Sequence, residues 1–501
     1  MPRLVDLGLT PPPGVAPSAQ VRGLTADSRE VRDGWVFFAL KGRLDGAEFA
    51  PFALRQGALA VVCSAEGAET IRRLWDRPAP PEGLPLIVVE APRRALALAA
   101  AGYFEAQPSV MAAVTGTNGK TSAASFLRQI WTACGHRAVN LGTTGVEGAV
   151  EAPGALTTPD PVRLHALLAD LAEAGVTHAA MEASSHGLDQ HRLDGVRLAA
   201  VGFTNLTRDH LDYHGTMEAY RDAKLGLFLR VAPPGAAAAV NADAEAAPAF
   251  AEAARARGLR LLTVGRAGED LRLLDRAYHP EGQRLRVAFG GRERDIDLSL
   301  VGAFQGDNAL LAAAMAIGAG EDPEAVFAAL PRLVPVRGRM ELAAVRANGG
   351  RVYVDYAHTP DALSVALGAL RPHMAAEGRL WVVFGAGGDR DRGKRPLMGA
   401  AACAGADAVI VTDDNPRSED PAAIRAAILA GCPEEPRPEE IGDRAEAILT
   451  GVDALGPRDC LLIAGKGHET GQIVGEETIP FDDAEQARAA VAALDGPEGE
   501  G

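Results

Sequence analysis

The chain has 501 residues, and at roughly 150 residues per domain this length predicts about three domains. Hydrophobic residues make up 47%, charged residues 23% and aromatic residues 5%, which is typical of a globular protein and excludes a disordered or fibrous one. The 50 Lys and Arg against 66 Asp and Glu give a formal net charge of -16, which argues against nucleic acid or an anionic membrane as the main partner. A phosphorylated small ligand would therefore be held by a few local cationic groups.

The cysteine pattern and the first residues bear on the compartment. The five cysteines are odd in number and form no C-x-x-C pair, so neither a disulfide framework nor a thiolate zinc site is indicated. The N-terminus lacks a basic start followed by an apolar core, and no apolar run reaches about 18 residues. These features predict a cytoplasmic protein with neither an export signal nor a membrane span.

The first part of the chain predicts a small α/β unit followed by a second sheet. Between residues 20 and 107, β-rich runs at 35–40 and 59–63 alternate with helix-like Ala and Leu stretches. A short apolar strand at 110–114 then leads into a Gly-rich turn and an amphipathic helix over 121–133. The order of strand, glycine turn and helix is the one that phosphate binding needs.

The rest of the chain predicts two further α/β domains. Strand candidates at 178–181 and 199–203, separated by helical patterns, indicate a parallel sheet with function at the C-terminal ends of its strands. A Pro-rich boundary near 331–335 follows an Ala-rich helix, and a doubly wound sheet follows, with apolar strands at 351–355, 380–384, 408–412 and 460–464. The predicted domains are residues 1–107, 108–335 and 336–501.

The segment Thr115-Gly-Thr-Asn-Gly-Lys-Thr-Ser122 ends like a phosphate-binding loop. The strict G-x-x-x-x-G-K-[ST] spacing would need Gly at 114, where Val stands, so the loop is a shorter relative. Gly116 and Gly119 let backbone amides approach phosphates, Lys120 supplies positive charge, and the Thr121 hydroxyl can ligate Mg²⁺. The alternative is an ordinary glycine turn with a solvent-facing lysine.

Five of the 11 histidines lie between positions 178 and 214, beside several carboxylates. Glu182 follows a strand, where it could share a magnesium ion with Thr121. His210 follows the next strand and could approach the same pocket, although a helix-capping or core histidine is an open alternative. A zinc hydrolase is another alternative, because His210 and His214 are four residues apart, but the glutamate of H-E-x-x-H is missing.

Several motifs, taken together and in this order, resemble one family, the ATP-dependent Mur ligases of peptidoglycan synthesis. The resemblance covers nearly the whole length. The motifs are Asp27-Ser-Arg29, Gly116-Thr-Asn-Gly-Lys-Thr-Ser122, Thr157-Thr-Pro-Asp160, Glu182-Ala-Ser-Ser-His186, Asn205-Leu-Thr-Arg-Asp-His-Leu-Asp212, Arg337-Gly-Arg-Met-Glu341, Asp355-Tyr-Ala-His-Thr-Pro360, Asp414-Asn-Pro-Arg417 and Gly465-Lys-Gly-His-Glu469.

The resemblance implies an α/β protein of three domains. These are a small N-terminal domain for a uridine nucleotide, a central P-loop ATPase domain with a parallel sheet, and a C-terminal Rossmann-like domain for the incoming amino acid. The implied reaction adds meso-2,6-diaminopimelate to the D-Glu γ-carboxylate of UDP-MurNAc-L-Ala-D-Glu through an acyl phosphate, at the expense of ATP. The implied partners are these small molecules alone, with Mg²⁺ as cofactor and a monomeric enzyme.

The resemblance also assigns the catalytic and ATP-binding residues. Thr121 and Glu182 would hold one magnesium ion, and His210 with a carbamylated Lys224 would hold a second; apart from the resemblance, Lys224 reads as a solvated helix lysine. The ATP-binding residues implied are Gly116, Thr117, Asn118, Gly119, Lys120, Thr121 and Ser122 for the phosphates, Asn308 for adenine, Asp355 for ribose and Arg339 for a phosphate. Lys120, Glu182, His210 and Lys224 are the implied catalytic residues.

The remaining implied sites concern the two other substrates. The residues that resemble contacts of the uridine-linked peptide are Ser28, Thr157, Thr158, Ser184, Gln190 and Arg192. Arg417 resembles the group that pairs bidentately with the distal carboxylate of diaminopimelate, a carboxylate that lysine lacks. The other residues of that site are Arg390, Asp414, Asn415, Gly465 and Glu469, with Glu469 facing the distal ammonium. A simple Asx turn is the alternative for Asp414-Asn-Pro.

Three alternatives for the function remain at this point. Folylpolyglutamate synthase shares the short phosphate loop and ATP-driven amide formation, but it should lack the N-terminal Asp-Ser-Arg domain. A lysine-adding relative would differ only around Asp414-Asn-Pro-Arg417. A nucleotide-dependent switch would use the loop without forming a product, but it leaves Glu182, His210 and Arg417 without a shared purpose.

Overall fold

A computed structural model of the chain describes residues 1–42, 44–78, 80, 82–152 and 157–496. By its internal contacts the chain forms two compact units, one of residues 1–272 with 310–326 and one of residues 273–309 with the chain from 327 onward. Parallel sheets with helices between their strands confirm the predicted α/β class. No described helix is long and apolar enough to cross a membrane.

The N-terminal part of the first unit is a four-stranded parallel sheet in the order β1-β2-β3-β4. Both strands predicted here are present, each shorter than predicted. A buried apolar core that includes Val36, Phe38 and Val62 holds the sheet to its helices. The elements are β1 (Gly23–Thr25), β2 (Trp35–Phe38), α1 (Ala50–Arg55), β3 (Ala60–Cys63), α2 (Ala65–Leu74), β4 (Leu86–Val88) and α3 (Pro92–Phe104).

The central sheet of the first unit has the strand order β7-β6-β8-β5-β9-β10-β11, and each neighbouring pair is parallel except β6 with β7. The elements are β5 (Val110–Thr115), α4 (Lys120–Ala133), β6 (Ala138–Gly142), β7 (Gly145–Gly148), α5 (Pro161–Glu173), β8 (His178–Glu182), α6 (Ser185–Asp189), β9 (Leu198–Phe203), α7 (Leu211–His214), α8 (Met217–Gly226), β10 (Ala237–Asn241), α9 (Ala247–Arg257) and β11 (Arg260–Gly265).

The three adjacent strands β8, β5 and β9 determine where the candidate site lies. β5 lies between β8 and β9, and its residues Met111 to Thr115 are buried, as expected of a strand covered on both faces. Because the three strands are parallel, the residues that follow them meet at one edge of the sheet. The phosphate loop, Glu182 and the segment from Thr204 therefore come together there.

The second unit begins with strands that the sequence did not predict. These are β12 (Leu271–His279), β13 (Gly282–Phe289) and β14 (Arg292–Leu298). β13 and β14 form an antiparallel hairpin whose two-residue turn, Gly290-Gly291, has positive φ at both positions. Only glycine adopts this conformation readily, and it matches the twist of the flanking strands. The helices α10 (Ala303–Gly318) and α11 (Pro323–Ala329) follow, and the stretch 310–326 belongs to the first unit.

The C-terminal part of the second unit is a six-stranded sheet in the order β15-β16-β20-β17-β18-β19, parallel except for the first pair. Apolar cores cover both faces. The elements are β15 (Glu341–Val345), β16 (Arg351–Asp355), α12 (Pro360–Leu370), β17 (Leu380–Phe384), α13 (Lys394–Gly405), β18 (Ala408–Val411), α14 (Pro421–Leu429), β19 (Glu439–Glu440), α15 (Arg444–Asp453), β20 (Cys460–Ala464), β21 (Gly471–Val474), β22 (Glu477–Pro480) and α16 (Asp483–Asp495).

Candidate active site

The phosphate loop leaves the end of β5 and runs into α4, as predicted. Gly116 has a φ of +149°, and a Cβ atom there would overlap the Oγ1 atom of Thr204, so no larger residue fits. The Asn118 amide donates to Asn205 Oδ1 at 3.0 Å, which fixes the loop to the segment after β9. Lys120 Nζ donates to the carbonyl oxygens of Gly116 and Thr117 at 3.0 and 2.7 Å. The lysine thus folds over the loop, which excludes the solvent-facing alternative.

Glu182, the last residue of β8, reaches the first turn of α4. Thr121 Oγ1 donates to Glu182 Oε1 at 3.0 Å, and the Thr143 amide donates to the same oxygen at 2.8 Å. Gly142 makes room for this carboxylate, because a Cβ atom at 142 would overlap Oε1. A buried hydroxyl beside a buried carboxylate is a set of hard oxygen donors, so these two side chains fit a magnesium ion.

Lys224 on α8 is a buried lysine, only 1% exposed, so its interpretation as a solvated helix lysine is wrong. Its Nζ donates to the Gly116 carbonyl oxygen at 2.7 Å and lies 4.5 Å from the ring centroid of Tyr220. Burial, together with the nearby charge of Lys120, holds the pKa of Lys224 well below its usual range, and Asp209 opposes this only partly. The lowered pKa favours the neutral, nucleophilic form of the amine.

His210 precedes α7 in a left-handed conformation, with φ of +51°. It occupies the N-cap position of α7, but its side chain makes no capping hydrogen bond. The side chain is 48% exposed, so the core-histidine alternative is wrong. Its Nε2 lies 3.5 Å from Asp209 Oδ2, and its ring packs edge-on against His186. Among the described residues, His210 and His214 belong to no group of three metal-ligand side chains, which leaves the zinc-hydrolase alternative without support.

A cleft of about 900 Å³ opens beside the N-terminal sheet, entirely within the first unit. Ser28, Gln190 and Arg192, which the sequence assigned to one substrate, all line it, together with Arg93 and Asp160. Arg192 donates to the Thr158 carbonyl oxygen at 2.6 Å and to Gln190 Oε1 at 2.8 Å. The guanidinium group is thus held at the wall of the cleft.

Three further residues of the predicted uridine-nucleotide site lie between this cleft and Glu182. Thr158 Oγ1 is 3.0 Å from Ser184 Oγ and 3.1 Å from the Glu182 carbonyl oxygen. Thr157 Oγ1 is 3.0 Å from Thr143 Oγ1, and Thr143 in turn bonds Glu182. Two pairs of hydroxyl groups, Thr158 with Ser184 and Thr157 with Thr143, therefore lie beside Glu182.

In the second unit, Asp355, Arg339 and Asn308 are the residues predicted to contact the nucleotide. Burial raises the pKa of Asp355, while Arg339 and the amides of Met340 and Ala357, which donate at 2.7 and 2.9 Å, oppose that shift. The Arg339 guanidinium lies 4.4 Å from the ring centroid of Tyr356. Arg339 Nε and Asn308 Nδ2 are buried with no hydrogen-bond partner among the described residues, a cost that a polar ligand would remove.

The predicted diaminopimelate residues also lie together in the second unit, around a buried lysine. Lys466 is fully buried, and its Nζ is 3.1 Å from Asn415 Oδ1 and 3.3 Å from Glu469 Oε2. Asn415 Nδ2 donates to Glu469 Oε2 at 2.8 Å, and the Ile473 amide donates to Asn415 Oδ1 at 2.9 Å. Asn415 therefore joins separate loops, which a simple Asx turn would not do.

Arg417 has a φ of +52°, and its backbone pairs with the hairpin of β21 and β22 through Ile473 and Gly475. Its Nη1 donates to the Gly388 carbonyl oxygen at 2.8 Å. A Cβ atom at Gly387 would lie 2.8 Å from that Nη1 and 3.8 Å from Arg390 Cγ. The side chains of Arg417 and Arg390 thus both lie beside Gly387.

Sequence reasoning missed two residues that hold these sites together. Thr143 supports Glu182, and its only signal was the Gly-Thr-Thr-Gly run after β6. Lys466 stands inside the Gly-Lys-Gly-His-Glu motif but was given no role. Its complete burial, which the sequence does not reveal, is what marks it.

Comparisons with known proteins identify the family. Three family models match the chain: "Mur ligase family, catalytic domain" over residues 20–104, "Mur ligase middle domain" over 114–316 and "Mur ligase, glutamate ligase domain" over 338–467. The chain belongs to the Mur ligase family. It is therefore an ATP-dependent ligase, and the nucleotide-switch and zinc-hydrolase alternatives are wrong. The three matches agree with the three-domain architecture; the boundaries at 107/108 and 335/336 stay a prediction.

Individual relatives are similar over almost the whole chain. A protein of Bradyrhizobium diazoefficiens named UDP-N-acetylmuramoyl-L-alanyl-D-glutamate–2,6-diaminopimelate ligase is 52% identical over 488 residues, 96% of each chain. One of Caulobacter vibrioides with the same name is 50% identical, covering 98% of this chain and 99% of its own. A solved structure under that name has a TM-score of 0.70 at 35% identity, covering 95% of this chain and 96% of its own.

Proposed function

We propose that the protein joins meso-2,6-diaminopimelate to the D-Glu γ-carboxylate of UDP-MurNAc-L-Ala-D-Glu, with conversion of ATP to ADP and phosphate. The observation that carries this is the presence of two chemically distinct sites on one chain. The phosphate loop with Glu182 and Lys224 suits transfer of a phosphoryl group, and the cluster of Arg417, Asn415 and Glu469 suits an amino acid with charges at both ends. Relatives about half identical in sequence carry the name of this reaction.

The chemistry proceeds in two steps. The γ-carboxylate of the peptide attacks the γ-phosphorus of ATP, so that a carboxyl–phosphate bond forms and the bond to the ADP oxygen breaks. The amine of diaminopimelate then attacks the acyl carbon, phosphate leaves, and the ammonium proton passes to solvent. The first step brings two anions together, so Lys120 and the loop amides contribute mainly by positioning and neutralising charge.

Thr121 and Glu182 offer the donors for a magnesium ion, which when bound would neutralise phosphate charge. Lys224 as a carbamate would add an oxygen ligand, with His210 as its companion. What supports this is the lowered pKa of the buried Lys224, since an unprotonated amine adds to CO₂ and an ammonium does not. The carbamate charge would be compensated by Lys120.

Substrate specificity is assigned to separate residues. Ser28, Gln190 and Arg192 would hold the uridine nucleotide in the cleft that they line, with Thr157, Thr158 and Ser184 leading to the reacting carboxylate. Asn308, Asp355 and Arg339 would contact adenine, ribose and phosphate of ATP. Arg417 with Arg390 would bind the distal carboxylate of diaminopimelate, Glu469 the distal ammonium, and Asp414 and Gly465 would complete that site. The enzyme is proposed to act as a cytoplasmic monomer.

The test is phosphate release by the purified protein with ATP, Mg²⁺ and UDP-MurNAc-L-Ala-D-Glu. Parallel reactions contain meso-diaminopimelate, L-lysine or no amino acid. We expect release with diaminopimelate only. Release with lysine would keep the ligase chemistry and overturn the role given to Arg417, and no release in any reaction would contradict the proposal.

A further inference from the structure

A second cluster of metal-ligating side chains lies away from the reaction centre. His136 follows the end of α4, and His178 begins β8. Lys120 begins α4 and Glu182 ends β8, so both lie at the other ends of these two elements. Glu321, just after α10, completes the cluster, and all three residues belong to the first unit. The mechanism above uses none of them.

The three side chains converge on one point. His136 Nε2 lies 2.9 Å and His178 Nε2 lies 3.5 Å from the same oxygen, Glu321 Oε1. One ligand atom from each residue lies within 4.8 Å of the others, and this is the only such group of three among the described residues. Ligands about 2.0–2.1 Å from a tetrahedral Zn²⁺ would stand about 3.4 Å apart. The His178–Glu321 separation of 3.5 Å is close to that value, and the His136–Glu321 separation of 2.9 Å is shorter than it.

The surroundings of His178 suit a metal ligand. Its Nδ1 lies 2.9 Å from Thr177 Oγ1, the kind of outer contact that orients a metal-binding imidazole. Burial, with the neighbouring His136, lowers the pKa of His178 to about 4, so the ring is neutral at pH 7. Neutral imidazole is the state that binds metals.

His136 supplies the adjustable part of the cluster. The two imidazole rings stack with their centroids 3.9 Å apart and their planes inclined by 28°. An imidazole nitrogen binds a metal in the plane of its own ring, so one of these two nearly parallel rings turns when both bind a single ion. The His136 side chain is 34% exposed and lies in the connection between α4 and β6, so it can turn without disturbing the core.

We propose that His136, His178 and Glu321 form a site for a divalent transition metal of the zinc class. Two imidazole nitrogens and one carboxylate oxygen suit Zn²⁺, Co²⁺ or Ni²⁺ better than Mg²⁺, which prefers oxygen ligands alone. Water completes the coordination. The ion joins the end of α4, the start of β8 and the segment after α10, so its effect is on the stability of the first unit.

The test uses the metal-stripped full-length protein, titrated with Zn²⁺ by calorimetry and followed by thermal unfolding. The variants are His136→Asn and Glu321→Gln, both on partly exposed side chains. The control is His279→Asn, which removes a histidine that pairs with one carboxylate, Asp297, at the same 2.9 Å distance. Any Zn²⁺ that binds at the reaction centre should bind there in all four proteins. The test therefore compares the number of Zn²⁺ ions bound per molecule of each protein.

We expect the wild type and His279→Asn to bind one more equivalent of Zn²⁺ at micromolar concentration than either cluster variant. Zn²⁺ should raise the unfolding temperature of these two proteins more than that of the variants, and Mg²⁺ should not reproduce the difference. The same stoichiometry in all four proteins, or saturation only at millimolar Zn²⁺, would overturn the proposal.

Discussion

Lys224 Nζ and the carbonyl oxygen of Gly116, 108 positions earlier in the chain, are joined by a hydrogen bond of 2.7 Å. Gly116 is the first glycine of the phosphate loop, so the buried lysine contacts the backbone that would surround the phosphates. Lys120 donates to the same oxygen. Burial, together with the charge of Lys120 on the same carbonyl oxygen, lowers the pKa of Lys224.

Replacement of Lys224 by alanine should abolish most phosphate release, because it removes the atom to which the carbamate is attached. A small carboxylate such as acetate or formate should restore part of the activity by entering the vacated space as an oxygen ligand. Phosphate release with and without the added carboxylate is the measurement. Lys41→Ala, at an exposed lysine that pairs with Glu66, is the control and should need no rescue. Full activity of unrescued Lys224→Ala would refute the carbamate.

Replacement of Lys466 by methionine should raise the KM for diaminopimelate by roughly 10-fold or more and leave the KM for ATP nearly unchanged. The lysine donates to Asn415 and Glu469, and hydrogen bonds to charged groups contribute about 1.5–3 kcal/mol. Steady-state kinetics with each substrate varied in turn separates the two constants. An equal change in both constants, or a fall in kcat alone, would show that Lys466 does not position these two residues for the amino acid.

Arg417→Ala should raise the KM for diaminopimelate about 10- to 150-fold, with a much smaller change for ATP. The expected size is that of a hydrogen bond to a charged group, about 1.5–3 kcal/mol. Arg392→Ala is a matched control, because Arg392 is an exposed arginine nearby that pairs with Glu419. Equal effects of Arg417→Ala on both substrates would contradict the assignment.

The sequence predicted the strands that lie in the middle of parallel sheets. Residues 110–114, 380–384 and 460–464 are continuous apolar runs, and each forms a strand in the structure. Such runs are typical of strands that are covered on both faces of a parallel sheet. The strands of 271–298 alternate polar and apolar residues, and they were missed although Gly290-Gly291 marks their hairpin turn.

The candidate site was predictable where local spacing decides the structure. The phosphate loop needs only the glycines and the lysine in order, and Gly116 and Glu182 follow their strands as expected. The burial of Lys224 was not predictable without the family resemblance, because its helix neighbours Asp222 and Arg221 are polar and only packing against the loop shows which side is covered. The burial of Lys466 was also not predictable, because one of its partners, Asn415, lies 51 residues earlier in the chain.

The stability of the first unit should fall as the pH is lowered from about 6.5 towards 4, in part because of His178. Its pKa is about 4 in the folded protein and near 6.5 when unfolded, so the unfolded chain binds the extra proton over this range. The contribution of His178 to the free energy of folding is therefore fully present above pH 6.5.

The variant His178→Phe keeps the ring packing against Trp131 and removes the titration. In buffer with a chelator, the drop in unfolding temperature between pH 7 and pH 5 should be smaller for this variant than for the wild type or His279→Asn. Parallel curves for all three proteins would show that His178 is not a source of the pH dependence.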